Sequence, residues 1–366
     1  MASEENNRGA FLIQQFYCAK MDAPIYARLC AALAGGLTRD SRTGARVLDW
    51  PGEPTRDALP LRLVGGLHAL VLAGADDALA AVFAGTIDDP AAIAAVLADV
   101  LIRHDAALLP WLDGPPQTNE PGRSAALLVG LFEVARRCGP HVEIIEIGSS
   151  AGLNLLIDRY RFDLGGATFG PADAPVTITP EWRGERPDLP PLEIVATRGC
   201  DVAPMDPTDP AVAARLAAYV WAETPERLAR LRGAIAMVRA RPVRLERADA
   251  ADWIEARLAK PQPGGVTRVL MHSVVWQYLP EATAGRIRAA MQAAGARASD
   301  ERPLGWVSME PDRATAMQVV SVQTWPGEEA RTVVATAHSH GAWITPGDRR
   351  TTVTGIDLPE AARIEL

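Results

Sequence analysis

Apolar residues in the first third of the chain recur at helical spacing. Leu63, Leu67, Leu70 and Val71 make one stripe, and Ile93, Val96, Leu97 and Leu101 make another, each lining one side of a helix. Breakers stand between them: Gly35-Gly36, Pro51-Gly52 and Asp88-Asp89-Pro90. No strand alternation interrupts residues 10 to about 112, so residues 1–115 predict a helical N-terminal domain, closed by the joint Asp113-Gly114-Pro115-Pro116.

Beyond that joint the period changes. After an apolar helix, Ala125 to Val134, comes a buried strand, Val142 to Ile147, then Gly148-Ser149-Ser150-Ala151-Gly152. Leu153, Leu156, Ile157 and Tyr160 follow at i, i+3, i+4 and i+7, which predicts an amphipathic helix straight after the glycines. Further strands are expected at 192–197, 243–247, 266–272 and 304–309, alternating with helices at 211–239, around 253–258 and at 281–294. Two β-rich runs, 318–323 and 332–337, predict a closing antiparallel hairpin. The Gly/Pro-rich stretch 165–191 reads as an inserted loop or hairpin with a short strand at 176–179. The fold class expected for 116–366 is therefore α/β: a doubly wound, Rossmann-like sheet, mostly parallel, with a helical domain before it.

Composition narrows the function classes. A hydrophobic fraction of 48% with 22% charged residues predicts a globular protein with a full core, and no apolar run approaches the roughly 18 residues of a membrane span. The polar start MASEENNRGA lacks a signal-peptide pattern. Four scattered cysteines form no CxxC pair, so no disulfide framework or zinc site is expected and a reducing cytoplasm is the natural home. A net charge of −8 argues against a nucleic-acid partner. The Arg-rich stretch 227–247 spreads its charges at helical intervals and reads as a solvated face. A small-molecule substrate is the better expectation.

The glycine turn does not match a dinucleotide site, which requires glycine at 148, 150 and 153; here 150 is Ser and 153 is Leu. Instead Glu146, Gly148 and Gly152 resemble the first motif of class I S-adenosylmethionine-dependent methyltransferases, with Ser150 in place of the middle glycine. That resemblance covers roughly residues 125 to 345 and implies S-adenosylmethionine as cofactor, held by Glu146, Gly148, Ser149, Ser150, Gly152 and Asn154. The next strand ends near Gly199-Cys200-Asp201-Val202-Ala203-Pro204, similar to the family's ribose-binding segment. Asp201 would accept from the ribose hydroxyls, or else cap a helix in competition with Asp206 and Asp209. Asp249 and Ala250 match the adenine-binding turn; Asp252 is the expected N-cap, and Trp253 would cover the adenine face or else serve as a core residue. The short link from Pro311 to Met317 departs from the family, which usually has a helix there.

Candidates for chemistry lie at the remaining strand ends. His272, before Ser273 and a Leu279-Pro280 pair, is a candidate general base or cofactor contact, against a reading as a hydrogen-bonded wall residue. Tyr278 and Glu310 are further catalytic candidates. The cluster Gln117 to Ser124 exceeds what a helix cap needs, so Asn119, Glu120 and Arg123 are substrate-binding candidates. The acceptor pocket is expected between the sheet edge and the helical domain, walled by 117–123, 272–278 and Glu310. No metal is expected: His338 and His340 read as structural, because a final antiparallel strand would end away from the cofactor. Two other functions stay open, a non-catalytic sensor of the same cofactor or a nucleoside, and a nucleotide-dependent oxidoreductase. Over nearly its full length the chain also resembles a family of uncharacterised bacterial proteins, through 14–18, Gln117-Thr118-Asn119-Glu120 with Gly122-Arg123-Ser124-Ala125, and 148–155.

Overall fold

The computed structural model describes residues 3–312, 315, 317–327, 330–347 and 352–353. Its helices are α1 (Glu4–Lys20), α2 (Pro24–Gly36), α3 (Arg42–Leu48), α4 (Leu59–Leu72), α5 (Asp77–Phe83), α6 (Pro90–Arg103), α7 (Asp105–Leu108), α8 (Arg123–Cys138), α9 (Pro210–Ala218), α10 (Pro225–Ala240), α11 (Ala250–Leu258) and α12 (Glu281–Gly295). Its strands are β1 (His141–Ile147), β2 (Arg161–Leu164), β3 (Ala167–Phe169), β4 (Thr177–Ile178), β5 (Glu181–Trp182), β6 (Glu193–Asp201), β7 (Leu245–Arg247), β8 (Thr267–Ser273), β9 (Leu304–Asp312), β10 (Met317–Trp325), β11 (Arg331–Ala337), β12 (Trp343–Pro346) and β13 (Thr352–Val353). The chain divides into two units, Met1–Thr118 with Asp209–Ala229, and Asn119–Thr208 with Arg230–Leu366.

The first unit is helical. Ser3, Ser41, Asp76 and Asp89 start α1, α3, α5 and α6 by accepting a hydrogen bond from a backbone N–H in the first turn, the usual remedy for unpaired donors at a helix start. Phe11, Tyr26, Leu29, Leu33, Leu63 and Leu67 fill its core. Residues 209–229, expected with the sheet domain, belong to this unit instead. Trp221 stacks on Tyr26 at 5.3 Å, and His68 Nδ1 donates to the Ala218 carbonyl at 3.1 Å. Ala23 offers α2 no side-chain cap, and Glu223 supplies it, accepting from Ile25 N at 2.7 Å and Tyr26 N at 3.1 Å.

The second unit is a mixed α/β fold around one large sheet, ordered β5-β12-β11-β10-β9-β8-β1-β6-β7, with β13 paired to β11. The strands from β9 through β8, β1 and β6 to β7 are parallel neighbours. The order reverses at β1: β6 and β7 build away on one side, β8 and β9 on the other. Helix α8 packs on β9 and β10, where Gly130 admits Val307; a Cβ there would lie 2.5 Å from Val307 Cγ1. On the opposite face Ile254, Ile287 and Met291 of α11 and α12 pack with Ile145, Leu270 and Trp306. The insertion after β1 forms a small sheet, β3-β2-β4.

Two further expectations fail. No α-helix follows the glycine turn: Leu153–Leu156 is one short 3-10 turn. Leu153, Leu156, Ile157 and Tyr160 are fully buried, and so are Leu155 and, nearly, Asn154. A segment buried on all sides imitates helical periodicity without needing a helix. The closing hairpin of β10 and β11 forms as expected, but the direction of its last strand differs. β10 is antiparallel to both β9 and β11, so β11 runs the same way as β9 and β1. His338–His340 therefore leaves β11 at the sheet edge where β1 ends, and strand direction does not remove these histidines from that edge.

Candidate functional site

In an open α/β sheet the ligand crevice lies outside the carboxyl ends of the strands, at the point where their order reverses. Here that point is the turn after β1. Gly148, Ser150 and Gly152 all have positive φ, at 65°, 52° and 72°. Glycine is required at 148 for space as well as conformation, because a Cβ would stand 2.2 Å from Val275 Cγ2; at 152 it would stand 2.7 Å from Val243 Cγ2. The two glycines thus serve the packing of the turn against neighbouring segments.

The polar residues that precede α8 are brought to this turn. Asn119 Oδ1 accepts from Leu153 N at 2.7 Å, and the Ser124 hydroxyl donates to Asn154 Oδ1 at 2.9 Å. Tyr160 donates to the Leu153 carbonyl at 2.8 Å. The Asn119 and Tyr160 side chains thereby satisfy the N–H and C=O of Leu153 at the start of the 3-10 turn. Glu120 Oε1 accepts from Gly122 N and from Arg230 Nε and Nη2, at 2.9, 3.1 and 3.0 Å. Arg123 Nε donates to the Ser339 carbonyl at 2.9 Å. Gly341 has φ +72°, and a Cβ on it would lie 2.2 Å from the Gly122 carbonyl oxygen. The turn after β11 therefore clamps the start of α8. Asn119, Glu120 and Arg123 stand in this scaffold, each with a structural partner.

Glu146 lies beneath the turn, 1% exposed, with Oε2 lacking a partner. Burial lifts its carboxyl to about 7; the neighbouring Ser149 and Asn154 side chains pull it down, and the Asp201 charge pushes it up. The buried Ser149 hydroxyl donates to the Glu146 carbonyl at 3.2 Å. Asp201 ends β6 and accepts from Ser150 N at 2.9 Å and Ala203 N at 2.8 Å. It caps no helix; Asp209 caps α9, and Asp206 closes a local turn on Thr208. Asp249, not Asp252, is the N-cap of α11, accepting from Ala251 N and Asp252 N. Asp252 pairs with Arg286 at 2.7 Å instead, and Ala250 opens the helix. Burial raises the Cys200 thiol, and the charges of Asp201, Glu146, Glu246 and Asp249 raise it further. Asp201, Glu246 and Asp249 thus stand close together at these strand ends, with Arg257 paired to Glu246 and Arg247 donating to the Val202 carbonyl. Val202 and Tyr278 stand 66% and 74% exposed at the same edge.

His272 is fully buried, with both ring nitrogens engaged. Nδ1 meets Glu310 Oε1 at 2.7 Å, and Nε2 accepts from Trp306 Nε1 at 2.9 Å. Burial lowers its pKa, so the neutral ring with its proton on Nδ1 satisfies both partners. This geometry leaves no free nitrogen for a base and favours the wall role. Glu310 Oε1 also accepts from Val275 N and Trp276 N, at 3.2 and 3.3 Å, while its buried Oε2 has no partner. Together they fix a turn in which Val274 adopts φ +53°, a conformation that costs a β-branched residue of order 1–3 kcal/mol.

Sequence reasoning missed Arg230 and Trp306, and gave no individual role to Ser124 or Val274, which lie within stretches it singled out. Arg230 sits in the stretch read as a solvated face, yet its side chain is only 15% exposed against Glu120. Its helical spacing matches that of the solvated arginines around it, so only the distant carboxylate distinguishes it. Nothing local marks Val274. Among the described residues no group of three or more His, Cys, Asp or Glu side chains could hold a metal ion. Cavities of about 640 Å³ and 320 Å³ occur elsewhere in this unit, beside His141 and Glu193 and beside Trp182 and Arg186. No single helix is long and apolar enough to cross a membrane among the described residues.

No curated protein and no solved structure matches this chain significantly. One family profile matches residues 8–345, and the chain belongs to that family, the uncharacterized proteins conserved in bacteria designated DUF2332.

Proposed function

We propose that this protein binds S-adenosylmethionine at the carboxyl ends of β1, β6 and β7 and transfers its methyl group to a small-molecule acceptor. The observation that carries the reading is the convergence of Glu146, Asp201 and Asp249 on consecutive strand ends around the glycine turn. Carboxylates suit a ligand with hydroxyls to donate and positive charge to balance. The pyrophosphate of a dinucleotide would meet repulsion there. Exposed Val202 and Tyr278 offer apolar surface for a base.

The residues present fit such a group. Asp201 would take the ribose hydroxyls with the lone pairs its two backbone donors leave, and Asp249 the adenine amino group with Oδ2. Glu146 would balance positive charge from below. When bound, S-adenosylmethionine supplies an already activated methyl group, so the protein's work is positioning and exclusion of water. His272 and Glu310 contribute by holding the 274–276 turn against Gly148. The same walled-in histidine also favours a second reading, a sensor that binds the cofactor without turnover.

Calorimetry with S-adenosylmethionine, S-adenosylhomocysteine and NAD tests the binding. Micromolar affinity for either of the first two is expected, about −8 kcal/mol. Asp201→Ala and Asp249→Ala should each weaken it roughly ten- to a hundredfold. NAD binding with no affinity for the sulfur compounds refutes the proposal.

A further inference from the structure

Helix α1 is apolar on two faces. Ala10, Phe11 and Cys18 are buried in the core of the helical unit, and Asn7 Nδ2 on the same side donates to the Leu48 and Trp50 carbonyls. The other face carries Leu12 at 53% exposure, Ile13 at 46%, Phe16 at 55% and Tyr17 at 53%, and Met21, just past its end, is 42% exposed. The two aromatic rings meet edge to face at 5.7 Å, and the Lys20 ammonium lies 4.8 Å over Phe16. One of these faces is covered by the core of the unit and the other is not, and a contiguous exposed apolar patch of this kind marks an interaction site.

We propose that this stripe joins two copies of the chain about a two-fold axis passing between Phe16 and Tyr17. The layout is self-complementary. In an antiparallel pairing centred there, Leu12 meets Met21 of the second copy, Phe16 meets Tyr17, and Ile13 meets the alkyl stem of Lys20. Each apolar residue finds an apolar partner and the ammonium reaches the rim. A C2 interface requires this kind of match of one patch with itself.

The area agrees. Five large side chains, each about half exposed and each with roughly 150–200 Å² of surface, cover about 400–500 Å² per copy. Pairing two copies buries on the order of 900 Å² from these residues alone, and the polar flank brings the total to about the 1,000 Å² that a specific interface needs. That size suits a reversible dimer.

Sedimentation velocity on the full chain, from about 1 to 100 μM, tests it. A concentration-dependent dimer is expected, and Phe16→Asp with Tyr17→Asp should abolish it while far-UV circular dichroism stays unchanged. Cross-linking checks the register. Leu12 stands 4.5 residues from the axis, which puts it about 13 Å along the helix from the second copy's Leu12 but beside that copy's Met21. A mixture of Leu12→Cys and Met21→Cys chains should cross-link on oxidation, and Leu12→Cys alone should not. A wild-type chain that stays monomeric, a double-Asp variant that still dimerises, or a stripe occupied only by a different protein overturns the proposal.

Discussion

Replacing Glu146 with Gln removes a carboxyl that the fold keeps from ionising at its ordinary pH. In the unfolded chain the group titrates near 4.5, and in the fold near 7. Below pH 4.5 both states hold the proton and no penalty exists. Between 4.5 and 7 the folded protein keeps a proton that the unfolded chain has released, so stability falls as pH rises. Above about 7 both are ionised and the loss is complete, at about 3 kcal/mol. The amide in the Glu146→Gln variant cannot ionise and escapes this loss. The stability of the variant relative to wild type should therefore climb by up to about 3 kcal/mol from about pH 4.5 to pH 8. For a unit of this size that is roughly 6–12 °C in Tm. Urea or thermal melts of both proteins at about pH 5, 6, 7 and 8 measure the gap. A gap that stays flat with pH would show that Glu146 is solvated or paired, and the reasoning from its burial would fail. A cation seated against Glu146 should also favour its ionised form, so binding near pH 6.5 should release protons, seen as a buffer-dependent enthalpy.

Gly148→Ala should cost about 2–4 kcal/mol, from a positive φ and from overpacking against Val275. Adding Val275→Ala should recover part of that loss, and strictly additive melts of the double variant would refute the contact. His272→Ala strands the Trp306 indole N–H and one side of Glu310 in the interior, an expected cost of about 2–4 kcal/mol. An unchanged urea midpoint would contradict the buried network.

Much of the fold was legible because its signals are local. Helical stripes, the five parallel strands and the closing hairpin each follow from short-range periodicity, and the glycine turn follows from residue type. What escaped depended on distant partners. The crossover after Gly152 looked helical because burial on every side places apolar residues at helical intervals too. Glu223 reads as an ordinary charge until the uncapped start of α2 is set beside it. Asp249 and Asp252 both begin a plausible helix, and only the backbone decides which one caps it. The direction of β11 depended on whether β10 pairs with β9, which no local pattern reports. His272 carried a correct address, the end of the fourth parallel strand, but its Trp306 partner comes from the neighbouring strand.

The irregular crossover also bears on the order in which this unit folds. A helical β–α–β connection can form its own hydrogen bonds early and wait for the sheet. The segment 153–160 makes only short turn bonds of its own, and the rest of its order comes from Asn119 and Ser124, some thirty residues back, and from burial around Tyr160. Closing that loop precedes any gain from it. The glycine turn should therefore be among the last parts of the sheet unit to set and the first to open, and the polar segment before α8 governs the rate of both.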